Sequence, residues 1–352
     1  MQTKTDRTNL AYRIAQHFEL QIKDISASES GYRNHSFKTR LQNGKSVNIM
    51  IYKAEPSIRA RIERADLVSG FLHTQGLPVR VRADERLLKL KYPNNVYESY
   101  AAIYNYLPGK TIAWESYTKD HIKVLGLAMA QMHAAFKAGR ASGVTSEVAL
   151  QVSIYAELTE LVDRMHNYFK TTAVTKAVSA KLRLKLTANY IHLKKAIVNA
   201  KNLPDQHLLH MDLVRSNILF QKTLHNRDNP CKEQRCCIVC GAVVVSGIID
   251  FEKVSYGSPL FDLARTLAFL LVDCKYKDPI KVRKYFLHSG YQKRGGMRIS
   301  QIRLLNVYVD LFLLHDFYKF LKHNPYEFLH QNEHYIRTRD ILIERNMLKY
   351  EA

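Results

Sequence analysis

Acidic residues are in short supply: 32 Asp and Glu stand against 53 Lys and Arg, a formal net charge of +21 over 352 residues. Glycine (14) and proline (9) are not enriched, which excludes collagenous and low-complexity architectures. Cysteine is sparse as well, five in all, with four crowded between Cys231 and Cys240. A secreted disulfide framework is not distributed that way, so a reducing, cytoplasmic setting is expected. Long apolar runs are missing. The richest, Leu260–Val272, is broken by Asp262 and Arg265, so no membrane partner is expected, and Met1–Asp6 has no apolar core of a secretory signal. The Lys and Arg are scattered rather than gathered into blocks, as on solvated faces. This speaks against nucleic acid as a partner without closing that option.

A chain of this length holds two lobes with separate cores, and 46% hydrophobic residues is ordinary for globular protein. Thr8–Phe18 reads as a short amphipathic helix. Strand-like runs follow at Gln21–Ser26, Ser36–Leu41 and Ser46–Tyr52. The last two are separated by Gln42-Asn43-Gly44, a strong hairpin signal. A basic helix over Ser57–Thr74 stops near Gly76 and Pro78, and Arg86–Lys91 and Tyr97–Tyr106 read as two more strands. From Thr118 onward the spacing is helical, with candidates at Val152–Phe169, Thr175–Ala200 and Ile299–Leu321. Leu208-Leu209 is a short strand. Ile218–Phe220 and Ala242–Ile249 read as a hairpin holding a long insert. The pattern predicts an α+β fold with two lobes: residues 1–106, a small antiparallel-sheet lobe, and 107–352, a larger mainly helical one. Residues 221–241 form the Cys-rich hairpin insert.

The most informative segment is His210-Met211-Asp212-Leu213-Val214-Arg215-Ser216-Asn217, followed by Ile249-Asp250-Phe251-Glu252. An Asp and an Asn separated by four residues, then an Asp at a strand end, form a phosphoryl-transfer layout. The first carboxylate accepts a hydroxyl proton, and the Asn and second Asp hold a metal that bridges nucleotide phosphates. The bland reading, ordinary turn-capping Asp and Asn, requires two independent signatures to coincide in order.

Together with Asn217-Ile218-Leu219-Phe220 and Gly257-Ser258-Pro259-Leu260-Phe261-Asp262-Leu263-Ala264, these motifs resemble the aminoglycoside phosphotransferase and choline kinase-like family. The resemblance implies a protein-kinase-like fold and an ATP- and Mg2+-dependent enzyme that phosphorylates a small-molecule hydroxyl acceptor. It makes Asp212 the catalytic base and Asn217 and Asp250 the metal ligands. His210 becomes a structural member of the loop, and Asp262 braces it. In the first lobe, Ser30, Gly31 and Asn34 lie in a stretch similar to the family's loop over the phosphates, and Tyr104 and Tyr106 in one similar to its adenine hinge. Each of these two stretches reads equally well as a plain turn.

Two departures stand out. The family places a Lys or Arg in the strand after the phosphate loop, and here Met50 stands there. Lys53 lies three residues on, so strand alternation points it to the opposite face; it substitutes only if the register is off by one or the strand bends. The acidic partner on the following helix is Glu63 or Asp66. The insert carries Cys231, Cys236, Cys237 and Cys240, whose thiolates could close a structural Zn2+ site or remain free or redox-active. A second function class follows from Met50: a catalytically weak, kinase-like protein binding nucleotide or polyanion. The basic balance, with Lys275, Lys277, Lys281, Arg283 and Lys284 after the Asp-Leu-Ala segment, makes a neutral or anionic acceptor the expectation.

Overall fold

The computed structural model describes residues 4–27, 34–91, 96–139, 152–171, 184–186, 188–222, 243–274, 277–295 and 299–350. The chain divides into two compact units. One comprises Met1–Thr111, Ser216–Gln221 and Val245–Lys253; the other takes Ile112–Arg215, Lys222–Val244 and Val254–Ala352.

The first unit is built on an antiparallel sheet of five strands, β1 (Ile22–Ala27), β2 (His35–Leu41), β3 (Ser46–Tyr52), β4 (Leu88–Leu90) and β5 (Ser99–Asn105), in the order β1-β2-β3-β5-β4. The hairpin expected at Asn43-Gly44 joins β2 to β3. Gly44 takes φ +83, and the Asn43 side chain accepts from the Lys45 N–H at 3.0 Å. The apolar run Val47–Ile51 is continuous rather than alternating because both faces of β3 are covered. On one face Ile49 and Ile51 join Ile103 and Phe37 against Ala11, Ile14 and Phe18, the latter from and just beyond helix α1 (Lys4–His17). On the other, Met50, Tyr52 and Tyr104 pack with Ile58 and Ile62 of helix α2 (Ile58–Thr74).

After α2 the chain runs along β5 as an irregular strand. Asn105 N–H donates to Val81 O at 3.0 Å and Ala83 N–H to Ile103 O at 2.9 Å. Alternation along Val79-Arg80-Val81-Arg82-Ala83 puts both arginines on one side, against the Tyr104 ring. Strands β8 (Ile218–Gln221) and β9 (Val244–Ile248) pair as expected. Gly109, at φ +115, lies where an added Cβ would fall 2.2 Å from Ser246 Oγ and 2.9 Å from Phe220 O. Gly109→Ala is therefore expected to destabilise by about 2 kcal/mol through backbone strain and overpacking. Trimming Ser246 to Ala as well should recover only part of the loss, because the left-handed φ and the Phe220 carbonyl remain. Denaturant melts of the single and double variants measure this.

The second unit is mainly helical. Helix α3 (Lys119–Ala138) starts at a capping box, with Thr118 Oγ1 accepting from the His121 N–H. Helices α4 (Ile154–Thr171), α5 (Tyr190–Lys201), α6 (Pro259–Asp273), α7 (Ile299–His323) and α8 (Glu333–Glu344) follow. Helix α6 begins on Ser258 as N-cap with Pro259 in its first turn, and packs along α7. The single helix expected over Thr175–Ala200 is corrected. Leu184–Leu186 is a strand, β6, paired antiparallel with Leu348–Tyr350, and α5 starts only where Asn189 accepts from the His192 N–H at 2.9 Å. Strand β7 (His207–Leu209) pairs with β10 (Ser255–Gly257), Leu209 facing Ser255. Among the described residues no helix is long and apolar enough to cross a membrane. A small antiparallel-sheet unit and a larger, mainly helical one are the arrangement the sequence pattern predicts.

Candidate active site

In the sheet unit, Asn217 closes a 3-10 turn at Arg215–Asn217 and is buried. Its backbone carbonyl accepts from the Ile249 N–H at 3.0 Å, which sets Asn217 beside the end of β9. There Asp250 adopts φ +68, a left-handed conformation rare for a non-glycine residue. Ser216 Oγ donates to Asn217 Oδ1 at 3.2 Å. Two residues beyond Asp250, the buried Glu252 accepts from Asn34 Nδ2 at 2.5 Å, while Asn34 Oδ1 accepts from the Lys53 N–H at 3.2 Å. Asn34 thus ties the end of β3 to the segment carrying Asp250. Burial, reinforced by the Asp250 charge, raises the Glu252 carboxyl to about 7.

Asp250 and Glu252 line a cavity with Tyr52, Asp66, Arg80 and Tyr104. The two acidic residues of α2, Glu63 and Asp66, are placed differently. Glu63 forms an exposed pair with Arg59 one turn back, whereas Asp66 accepts from Arg82 Nε at 2.7 Å and from the Tyr104 hydroxyl at 2.8 Å. Burial pushes the Asp66 carboxyl up, against the opposing pull of Arg82 and Tyr104. Tyr104 is buried, its hydroxyl 2.6 Å from that of Tyr52, and the same desolvation raises its phenol. Tyr104 thus belongs to this polar cluster on the α2 face of the sheet. Tyr106, two residues on and half-buried, carries the Lys38 ammonium 4.3 Å above its ring. Lys53 lies exposed just past β3.

In the helical unit, β7 delivers His210, Met211 and Asp212. Asp262, from the first turn of α6, is fully buried. Its Oδ2 accepts from the His210 N–H at 2.7 Å and its Oδ1 from the Met211 N–H at 2.6 Å. His133 Nε2, from α3, lies 3.1 Å from Oδ2, and its Nδ1 lies 2.9 Å from the Tyr291 hydroxyl. Burial alone would raise the Asp262 carboxyl, but the bonds from His133 and the His210 backbone hold it below its ordinary range. With its amide and that of His210 held by Asp262, Met211 sits at φ +58, and this turn presents Asp212. The Asp212 N–H donates to His210 Nδ1 at 3.2 Å, and Arg265 Nη2 stands 3.4 Å from Asp212 Oδ1. His210 is thereby an acceptor inside the loop.

His207, on β7, packs against His133 with the ring centroids 4.8 Å apart and the planes tilted by 52°, and burial, then His133, depress its imidazole to about 3. The sign follows directly. Below the ordinary value of 6.5 the unfolded chain takes up a proton that the folded chain refuses, so stability is lost as pH falls. Between pH 6.5 and about 4 this amounts to about 3 kcal/mol, at 1.36 kcal/mol per unit. His207→Phe should flatten the acid limb of a melting-temperature profile, and a profile parallel to wild type would rule this linkage out.

Of the residues singled out from sequence, Ser30, Gly31, Cys231, Cys236, Cys237 and Cys240 lie outside the described residues. Among the described residues no group of three or more His, Cys, Asp or Glu could hold a metal ion. Sequence reasoning missed Arg80, Arg82, His133 and Arg265. The first two carried a signal, the alternation Val-Arg-Val-Arg-Ala after Pro78; His133 and Arg265 are recognisable only through what they touch.

No family model matches the sequence, and no curated protein matches it. Solved structures do match in fold. An amicoumacin kinase in complex with AMP-PNP and Ca2+ aligns over 97% of this chain and 94% of its own, at 13% identity and a TM-score of 0.63. A microcompartment-associated aminopropanol kinase aligns over 97% and 99%, at 13% identity and a TM-score of 0.61. An ethanolamine kinase of Plasmodium vivax aligns over 99% and 91%, at 14% identity and a TM-score of 0.57. The chain has the two-lobe, kinase-like fold of these proteins.

Proposed function

We propose that the protein is an ATP-dependent phosphotransferase that moves the γ-phosphate to a hydroxyl of a small-molecule acceptor. One observation carries most of the weight: the Asp262 carboxylate, bonded to the amides of His210 and Met211, fixes the turn that presents Asp212. A loop held this firmly around an accessible carboxylate is what general-base chemistry needs. Asp212 takes the proton of the acceptor hydroxyl as the new O–P bond forms and the bond to the β-phosphate oxygen breaks, leaving ADP. Arg265 Nη2 stands 3.4 Å from Asp212 Oδ1.

The amide oxygen of Asn217 and the carboxylate of Asp250 are hard oxygen donors brought together by the Asn217–Ile249 backbone bond, a donor set that suits Mg2+. When bound, the ion neutralises charge on the nucleotide phosphates. Ser30, Gly31 and Asn34 would cover those phosphates, with Lys53 nearby, and Tyr106 would face the adenine. The Tyr104 hydroxyl, already bonded to Asp66, would act from beneath the site rather than at the ring. The thiols of the insert have no part in this reading.

Proteins of similar fold include kinases of amicoumacin, aminopropanol and ethanolamine, and amino alcohols therefore belong in the test beside neutral and anionic hydroxyl compounds. The test is ADP release from Mg-ATP across such a panel. Acceptor-dependent release with one class is the expected result. ATP binding without release for any acceptor would favour the weak, kinase-like binding protein that Met50 raises.

A further inference from the structure

We propose that Arg80 supplies the phosphate-binding cation that β3 lacks at Met50. The inference rests on the reading of the sheet unit as the ATP-binding half of a phosphotransferase. Met50 points to the α2 face of the sheet, among Tyr52, Tyr104 and Ile62, and a thioether cannot neutralise a phosphate. The guanidinium of Arg80 reaches the same spot from the segment beside β5, with Nη1 3.2 Å from Met50 Sδ and Cζ 4.7 Å from the centre of the Tyr104 ring.

Its surroundings leave that charge available. Of the carboxylates whose charge it feels, Asp66 is already held by Arg82 through Nε at 2.7 Å and Nη2 at 2.6 Å, and Glu252 is bonded by Asn34. Among the described residues Arg80 makes no ion pair, and its one hydrogen-bond acceptor is the weak Met50 sulfur. Four of its five N–H donors remain for a ligand, and it is only partly buried, in the cavity that Asp250 also lines. A flat guanidinium packed between a thioether and an aromatic ring is oriented before any ligand arrives, and it matches phosphate oxygens in a bidentate way that an ammonium does not. Met50 is then the packing partner that an arginine entering from the neighbouring strand requires. A Lys at position 50 would place two cations side by side.

Calorimetric titration of the full chain with Mg-ATP and with adenosine separates this role from a structural one. Arg80→Met should weaken Mg-ATP binding by roughly 10–100-fold, the effect of losing a charge-assisted hydrogen bond to phosphate, while adenosine affinity stays within about 2-fold. The double change Arg80→Met with Met50→Lys should restore at least part of the ATP affinity, since it returns a cation to the same spot. Equal weakening of both ligands, or none of either, would overturn the assignment of Arg80. Failure of the wild-type protein to bind Mg-ATP at all would instead remove the nucleotide-site reading on which it rests.

Discussion

Asp212→Asn is expected to lower turnover by about 10^2–10^4-fold, the usual contribution of a positioned general base, while Mg-ATP affinity changes by less than about 3-fold. The substitution is nearly isosteric, and the backbone of Asp212 helps to shape the loop. The Asp212 N–H donates to His210 Nδ1 and the Asp212 carbonyl accepts from the Val214 N–H at 2.7 Å, both from backbone. Among the contacts of the carboxylate, the one with Arg265 is weakened. At 3.4 Å between side chains that are 13% exposed, it is a long pair of modest worth, so the loop should keep its shape. An amide cannot take up the acceptor's proton, and activity falls for that reason alone. ADP release and ATP titration on the same preparation check both halves. Turnover equal to wild type would remove Asp212 from the chemistry.

The small-sheet, large-helical division could be read from periodicity because each element carries its own local signal: alternation and an Asn-Gly turn in the sheet, 3.6-residue spacing in the helices. The pairing of β6 with Leu348–Tyr350 could not. Each strand is three residues long and its partner lies some 160 residues away, and no local pattern encodes a ladder that short. The Asp66 choice was available in principle. Ile58, Ile62, Ser69 and Leu72 mark the buried stripe of α2, Asp66 falls four residues after Ile62 on that stripe, and Glu63 falls off it. Helical phase would have decided between them before any coordinates. Arg80 is different in kind. A reading that looks for a cation in the expected strand finds Met50 and stops, because function is kept in space by a residue that enters from a neighbouring segment.

The same distinction governs Asp262, whose importance is greater than a supporting motif residue would suggest. Replacing it with Asn should destabilise the protein by about 3–5 kcal/mol, roughly 10 °C in melting temperature for a chain of this size. Both carboxylate oxygens accept, Oδ1 from Met211 and Oδ2 from His210 and His133. Whichever way an amide is turned, its NH2 faces an N–H donor at a fully buried position. Asp316 is the useful contrast. It is also buried, and burial raises its carboxyl, but among the described residues no hydrogen bond depends on it. Asp316→Asn should therefore leave the melting temperature unchanged or slightly higher, because the raised carboxyl records a desolvation cost with little return. Two buried aspartates of the same unit are thus expected to respond in opposite directions to the same substitution. Near-equal melting temperatures for Asp262→Asn and wild type would mean that the left-handed turn at Met211 is held by something other than this carboxylate. In the expected case, activity measured well below the melting temperature should still be depressed, since the freed amides of His210 and Met211 no longer fix where Asp212 points.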